Sequence, residues 1–252
     1  MGMTEEFIKQ GFWNTTQFNR INQDSITDIE EYNDSDKLSL FITQLSDRSA
    51  YQQNKLVDKW CSKLPELDKV KYLWLPSRVN QKIFNAICNM PNLEGLWIKW
   101  SGIKSIDELI NLKKLKHLHL GSSSQINDIG MLSSLPSLKT LHMEQLNKIS
   151  DFRCIGKLTQ LIGLGIDGSI WTPQKIDSLE FIKQISGLRY FTMTNSRLKS
   201  KSFEPLLALK LLVRFNSSWN YPESEFSILQ THPSLKYGNI ETSWKELKSG
   251  LE

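Results

Sequence analysis

A six-residue phrase spelled L-x-x-L-x-L recurs along most of this sequence and constrains the fold more than any other feature. Its clearest copy is LKHLHL, residues 115–120. Eight copies follow one another at intervals of 23, 22, 23, 23, 27, 22 and 25 residues. A fixed period of this length is typical of solenoids, in which each repeat packs only on its neighbours. The fourth position of the phrase is occupied by Leu73, Leu96, Leu118, Leu141, Leu164, Phe191, Val213 and Gly238.

The spelling and the spacing resemble leucine-rich repeats, and the segment INDIGMLSSLPSLKTLHM (residues 126–143) resembles internalin-type units most closely. The match spans roughly residues 66–245. The resemblance implies an α/β solenoid of about eight repeats. Each phrase would give a strand of a curved parallel sheet on the concave side. The segments between phrases have apolar residues three and four apart, which predicts short helices or 3₁₀ turns on the convex side.

The pattern divides the chain into an acidic leader with a cap helix, residues 1–65, and a repeat domain, residues 66–252. Residues 39–45, SLFITQL, favour a short strand. Terminal repeats need a cap because their apolar inner faces would otherwise meet water. The predicted cap is an amphipathic helix over residues 50–64, with its apolar side formed by Leu56, Val57, Trp60, Cys61 and Leu64.

Composition narrows the function classes. Neither an apolar run long enough to span a bilayer nor a secretory start is present, so we expect a cytoplasmic protein without a membrane partner. The three cysteines have no C-x-x-C spacing, which argues against a zinc site. The net charge is +4, but the lysines of LKKLK alternate with leucines as on a solvated flank, so no nucleic acid partner is expected. We expect a monomer when the protein is free.

Side chains between the leucines should point outward on the concave face, because successive residues of a strand alternate between its faces. The central column of these outward positions reads Trp, Trp, His, His, Gly, Thr, Arg, Asn. Large aromatic and arginine side chains on an open sheet are typical of protein-binding surfaces. An alternative is that the cap helix or the leader covers Trp74 and Trp97. The predicted partner-binding residues are Tyr72, Trp74, Trp97, Lys99, His117, His119, His142, Glu144, Asp167, Tyr190, Arg214 and Tyr237.

Two glycines of the concave face, Gly163 and Gly165, predict a shallow gap beside His142. A partner side chain could enter that gap, with Asp167 and Glu144 at its rim. The alternative is that glycine is tolerated there because nothing packs on it.

Two longer repeats carry aromatic insertions. The fifth repeat adds Trp171 and Pro173, and the seventh adds Trp219, Tyr221 and Pro222. Insertions of this kind often belong to a binding face. Equally, a tryptophan could fold back and cover the edge of its repeat.

The sequence gives little support for metal binding or catalysis. His117, His119 and His142 could approach one metal ion, and a metal-binding enzyme is a remote alternative on that ground. No phosphate loop or nucleophile elbow is present, so we expect no cofactor and no catalysis. Serine fills six of eight positions after the strands, where the family usually has asparagine, and we expect these serines to form a ladder that satisfies the turns.

The sequence therefore predicts a non-enzymatic module that binds a protein on its concave face. One class that fits is an inhibitor or immunity-type protein that occludes a partner enzyme, as in bacterial antidotes of similar architecture. The other class is an adaptor or a regulatory subunit of a complex.

Overall fold

One nine-stranded parallel sheet runs through residues 24–242, the part of the chain that the computed structural model describes. Its strands are β1 Lys37–Ser39, β2 Tyr72–Val79, β3 Gly95–Ser101, β4 His117–Leu120, β5 Thr140–Glu144, β6 Gly163–Asp167, β8 Tyr190–Met193, β10 Arg214–Ser217 and β11 Tyr237–Gly238. They neighbour one another in that order, so each repeat adds one strand beside the previous one. The α/β solenoid predicted from the repeating phrase is confirmed.

The leucines of the phrase lie in register along the sheet. Leu73 pairs with Leu96, which pairs in turn with Leu118, Leu141 and Leu164. All five are at most 2% exposed and belong to one continuous core. The repeat specifies this register, because a slip of one residue would turn every leucine to the opposite face.

The cap helix is present as α1, Ala50–Lys63. Ser49 begins it with a capping box, in which its hydroxyl accepts from the backbone N–H of Gln52. Trp60 is fully buried on its inner side and donates from Nε1 to the carbonyl of Thr27 at 2.7 Å. Because α1 packs against α2, Gln81–Ile87, it closes the first repeat from the convex side and does not lie on the concave sheet.

The first strand lies inside the segment expected to be the leader. β1 pairs with β2, matching Ser39 with Trp74, so the repeat sheet continues upstream of residue 66. Of the strand expected over residues 39–45, the structure has only Ser39 within β1. Residues 1–23 and 243–252, on which the remaining expectations for the two ends fall, lie outside the described residues.

The return segments are short helices and 3₁₀ turns, as the apolar spacing predicts. Most of the apolar residues at the predicted spacing are buried beneath the sheet. After α2 they are 3₁₀ turns at Asp107–Asn111, Gly130–Ser134, Arg153–Lys157, Glu180–Gln184 and Glu204–Ala208, followed by helix α3, Glu223–Leu229. None of the helices within residues 24–242 has the length and apolar character that crossing a bilayer requires.

The predicted register of the seventh repeat is wrong by two residues. The residue that pairs with Phe191 of β8 is Phe215, not Val213. Position six of this phrase is consequently Ser217, which is buried and hydrogen-bonded to Asn239. Because a serine occupies this position, both registers have two apolar residues at the three leucine positions, and the spelling alone does not separate them. Arg214 therefore shifts to the neighbouring column, and Asn216 takes its place.

The serines after the strands satisfy backbone groups of the turns. Ser101 accepts from the N–H of Ile103, and Ser123 donates to the carbonyl of Gly121. Ser169 likewise accepts from the backbone N–H of Thr172, whereas Ser218 accepts from the backbone N–H of Asn195 in the preceding repeat. The serines therefore satisfy turn backbone groups, as predicted. Two turns are also joined by a small parallel sheet of β7, Gln174–Ile176, and β9, Ser196–Leu198.

Candidate functional site

The central outward column crosses the sheet in the order set by strand pairing. Trp74 pairs with Trp97, Trp97 with His119, and His119 with His142. His142 pairs next with Gly165, after which the column continues through Thr192 and Asn216. Parallel in-register strands thus bring three predicted residues, Trp97, His119 and His142, side by side at the centre of the face.

Their rings touch and their nitrogens are hydrogen-bonded. Trp97 stacks on His119 with centroids 5.1 Å apart, and His119 meets His142 edge-on at 4.6 Å. Nδ1 of His142 lies 2.9 Å from Nδ1 of His119, while Nε2 of His142 lies 2.6 Å from Oδ2 of Asp167. We call Trp97, His119, His142 and Asp167 the histidine network. It ties together four adjacent strands, β3 to β6.

Asp167 is fixed by the following strand. Its Oδ1 accepts from the backbone N–H of Thr194 at 2.6 Å and from the hydroxyl of Thr192 at 3.2 Å. Because Oδ2 is bonded to His142, both oxygens of the carboxylate have partners. The residue is only 8% exposed. Asp167 was expected at the rim of a gap. Instead it closes the histidine network, because two hydrogen-bond donors of β8 and the loop after it are aimed at it.

The proton on the outer nitrogen of His142 is set by its partner. A carboxylate only accepts, so Nε2 of His142 donates to Asp167. One hydrogen bond joins the two Nδ1 atoms of His142 and His119, and its direction follows from the tautomers of the two rings. Burial, and then the neighbouring His142, hold the pKa of His119 well below its ordinary value, which keeps that ring neutral. Every polar atom between the two rings then has a matching partner.

The predicted gap at Gly165 is filled by the protein itself. The imidazole of His142 lies across this glycine, so a Cβ built there would be 2.2 Å from Cδ2 of the ring. Glycine is needed because the ring must pass over the strand to reach Asp167. Neither the gap for a partner side chain nor the reading that nothing packs on this glycine is correct.

The remaining predicted residues lie around the histidine network. Tyr72, His117, Glu144 and Tyr237 are half-buried, and Lys99 is exposed with its Nζ 5.0 Å from the Trp100 ring. Trp74, between Ser39 and Trp97 in the register, is only 3% exposed, and Tyr190 only 5%. The face is therefore less open than its residue types suggest.

Arg214 belongs to the outer column of Tyr190 and Tyr237, with which it pairs directly. It does not lie in line with the tryptophans and histidines, where the shifted register had placed it. Arg214 is thus one column away from the line of the histidine network, on a strand beyond β8.

Burial also governs the charge of the flanking groups. It raises the pKa of Glu144, whose residue pairs with Asp167 in the register. Burial and the neighbouring Lys116 lower the pKa of His117 to about 4. His117 shares a hydrogen bond of 2.8 Å between its Nδ1 and the hydroxyl of Thr140. Around neutral pH the imidazoles of His117 and His119 are therefore neutral and act as hydrogen-bonding rings.

The histidine trio does not assemble as a metal site. His117 is bonded to Thr140, whereas the facing nitrogens of His119 and His142 bond each other. Among residues 24–242, no three His, Cys, Asp or Glu side chains are placed to hold one ion.

A family model for leucine-rich repeats, covering two copies, matches residues 113–161, the part of the chain that holds β4 and β5. The chain contains leucine-rich repeats and has their fold. Internalin C2 of Listeria monocytogenes is a similar solved structure, with a TM-score of 0.52 and 21% identity over 71% of this chain and 78% of that one. A leucine-rich repeat protein of Leptospira interrogans has a TM-score of 0.53 and 21% identity, over 69% of this chain and 50% of that one. No curated protein matches by sequence. The fold indicates a protein-interaction module.

The two aromatic insertions of the repeats behave differently. In the seventh repeat, Trp219 stacks on Phe226 of α3 with centroids 4.5 Å apart. Tyr221 is buried, with its hydroxyl 2.9 Å from Oγ of Ser196. This insertion folds back and covers the edge of its repeat. In the fifth repeat, by contrast, Trp171 is 89% exposed.

Three residues of the histidine network's surroundings were not among the predicted binding residues. They are Thr192, Thr194 and Gly165, which hold or make room for Asp167 and His142. The available signal was their place in the outward columns, next to a carboxylate and a histidine. These contacts depend on how side chains of one strand turn towards the neighbouring strand, and the repeat spelling does not show this.

Proposed function

We propose that this protein binds one protein partner on its concave face and occludes it, as an inhibitor or immunity-type protein. The observation that carries the proposal is the histidine network, which fixes rings and a carboxylate across four strands at the centre of that face. The leucines alone satisfy the architecture. The repeat spelling does not require a network at these outward positions, and its effect is to hold Trp97 in one place for a partner.

Fixing the rings in advance favours tight binding. Each side chain that has to be immobilised on association costs about 0.5–1.5 kcal/mol. Trp97 is held by its stacking on His119, which is itself held by His142 and Asp167. A preformed surface of this type suits an inhibitor, which gains from slow dissociation of one partner.

We assign different roles to the predicted residues. Half-buried Tyr72, Trp97, His117 and Glu144, together with exposed Lys99, would meet the partner. Buried His119, His142 and Asp167 would act from below by positioning Trp97 and the strands. Trp97 is the expected hot spot, because tryptophan carries a large share of interface energy.

The proposal includes a monomer in the cytoplasm that binds neither nucleic acid nor a membrane. Size-exclusion chromatography with light scattering tests the oligomeric state. Fluorescence microscopy of the tagged chain in its source cells tests the location.

Affinity capture from a lysate of the source organism tests the concave face. Trp97→Ala with His119→Ala should keep the fold, by circular dichroism, and weaken capture of the partner by at least about 2 kcal/mol, the hot-spot scale. The matched control is Ile110→Ser with Leu211→Ser, which changes two exposed apolar residues of the return segments. Equal capture by wild type and the Trp97/His119 variant would remove the concave face from the proposal.

The captured partner separates an inhibitor from an adaptor. An inhibitor should abolish the activity of a single partner enzyme at equimolar ratio. Micromolar binding to several proteins, with their activities retained, would instead establish the adaptor or regulatory role.

A further inference from the structure

Two adjacent apolar side chains, Ile170 and Trp171, stand almost free in solvent. Their exposed fractions are 88% and 89%, higher than those of the other exposed large apolar residues of the described chain. A tryptophan buries about 150–250 Å² when it is covered, so leaving one in water forgoes a large contribution to folding. We call this pair the Trp171 tip.

The Trp171 tip is held at both ends by hydrogen bonds of a tight turn. The backbone N–H of Ser169 donates to the carbonyl of Thr172 at 3.0 Å, and the N–H of Thr172 donates to the hydroxyl of Ser169 at 3.1 Å. Asn195 of the next repeat donates from its side chain to the carbonyl of Ser169. The two exposed residues are the central residues of this turn, so the backbone beneath them is fixed.

Glycine at position 168 allows the turn to sit this close. A Cβ there would lie 2.1 Å from the carbonyl oxygen of Asn195 and 2.7 Å from that of Thr172. The backbone N–H of Gly168 also donates to Thr194 at 2.9 Å. The insertion is therefore docked on the following repeat, with only its tip projecting.

Positive charge lies on the small sheet that follows the Trp171 tip. Lys175 of β7 pairs in register with Arg197 of β9, and both are exposed while their strand neighbours are buried. Within residues 24–242 neither side chain forms an ion pair. The nearby carboxylate of Asp177 accepts from the hydroxyl of Ser150.

We propose that the Trp171 tip is a second interaction surface, which binds an acidic protein segment. Ile170 and Trp171 insert into an apolar pocket of that partner, and its acidic side chains pair with Lys175 and Arg197. A rigid aromatic anchor beside unpaired cations is suited to such a partner, because the anchor supplies affinity and the charges supply selectivity. The surface is separate from the histidine network and does not depend on binding at the concave face.

A protein segment fits these observations better than an anionic bilayer. A turn fixed by hydrogen bonds has one shape. A pocket of complementary shape gains affinity from this rigidity, whereas a fluid bilayer does not.

Selection from a displayed library of random short peptides tests the proposal directly. Binders to the wild-type protein are selected and then depleted on Ile170→Ser with Trp171→Ser, which should fold normally because both side chains are exposed. The surviving peptides should be rich in Asp and Glu around large apolar residues. Their affinity should fall at least about tenfold on Lys175→Glu with Arg197→Glu, a change of about 1.4 kcal/mol.

Matched controls test whether the loss of any exposed aromatic side chain, or the reversal of any two positive charges, would have the same effect. Tyr51→Ala removes another exposed aromatic, on α1, and Lys113→Glu with Lys139→Glu makes the same charge change before the strands instead of after them. Both controls should bind the peptides like wild type. Survivors without acidic residues, or no survivors after depletion, would overturn the proposal. So would Trp171-dependent binding to phosphatidylserine vesicles without peptide binding, which would identify a membrane instead.

Discussion

The ring of His142 lies across Gly165, and this pair makes the histidine network possible. A Cβ on Gly165 would come within 2.2 Å of the ring, which on its present path reaches Asp167 at 2.6 Å. Architecture alone does not require glycine at this outward position. It is required only if the neighbouring imidazole has to cross the strand.

Gly165→Ala should therefore lower the free energy of unfolding by about 1–3 kcal/mol, the range for inserting a methyl group into a packed site. Urea denaturation followed by circular dichroism measures it. In a His142→Ala background the same change should be nearly neutral, since the ring is gone. Gly187→Ala is the control, because its Cβ would be 3.6 Å from the nearest atom. Equal losses in both backgrounds would show that the ring is not the cause.

The repeating phrase predicts the fold well because each copy independently indicates the same strand and core positions. Leucines at fixed intervals have only one face to bury, and this sets the strand order and the core. The error at Val213 came from the one repeat in which a serine, Ser217, occupies the last core position. Its hydroxyl can be buried there because two acceptors lie within reach, the Oδ1 of Asn239 at 3.3 Å and the carbonyl of Ser218 at 3.2 Å. The contact with Asn239 lies between repeats and outside any single phrase.

The candidate site could be predicted only as a set of columns. Register placed Trp97, His119 and His142 together, but it did not say that Asp167 would turn towards His142 or that Gly165 would be covered. Those outcomes depend on rotamers and on donors from Thr192 and Thr194 in the next strand and the loop after it. The same limit left two readings for each insertion, which packing at Phe226 resolved for Trp219.

Asp167→Asn should destabilise the protein by about 1–3 kcal/mol, because an amide has one acceptor oxygen where the carboxylate has two, so its NH2 group would face a donor, either the Nε2–H of His142 or the backbone N–H of Thr194. Thermal and urea unfolding measure the loss. The control Asp151→Asn removes a carboxylate whose partner, Arg153, is largely exposed, and it should change stability by less than about 1 kcal/mol. Similar effects of the two substitutions would contradict a special role for the histidine network.

Stability should fall as the solution is acidified through about pH 6.5. Because the pKa of His119 is well below 6.5 in the folded protein, the unfolded chain takes up the proton first. The stability that neutral His119 contributes is fully present above that pH. It is lost below that pH, by on the order of 1 kcal/mol per pH unit. His117, with a folded pKa of about 4, adds to the same trend.

Melting temperatures measured between about pH 8 and about pH 5 check this sign. His119→Gln keeps a side chain that can donate to His142 but does not titrate, so its melting temperature should fall less over that interval. His232, whose pKa is lowered mainly by burial, is unchanged in both proteins and provides the common background. A melting temperature that rises on acidification would contradict the assigned neutral rings.

The two insertions should respond oppositely to loss of their aromatic groups. Tyr221→Phe removes a hydroxyl that bonds Ser196 at 2.9 Å and accepts from the backbone of Leu198 at 3.3 Å, so it should lower stability by about 1 kcal/mol. Trp171→Ala removes a far larger side chain, but one that is 89% exposed, and should change stability by less than about 0.5 kcal/mol. Urea unfolding of both variants measures this contrast. A large loss for Trp171→Ala would mean that the tryptophan packs on its own repeat and is not available to a partner.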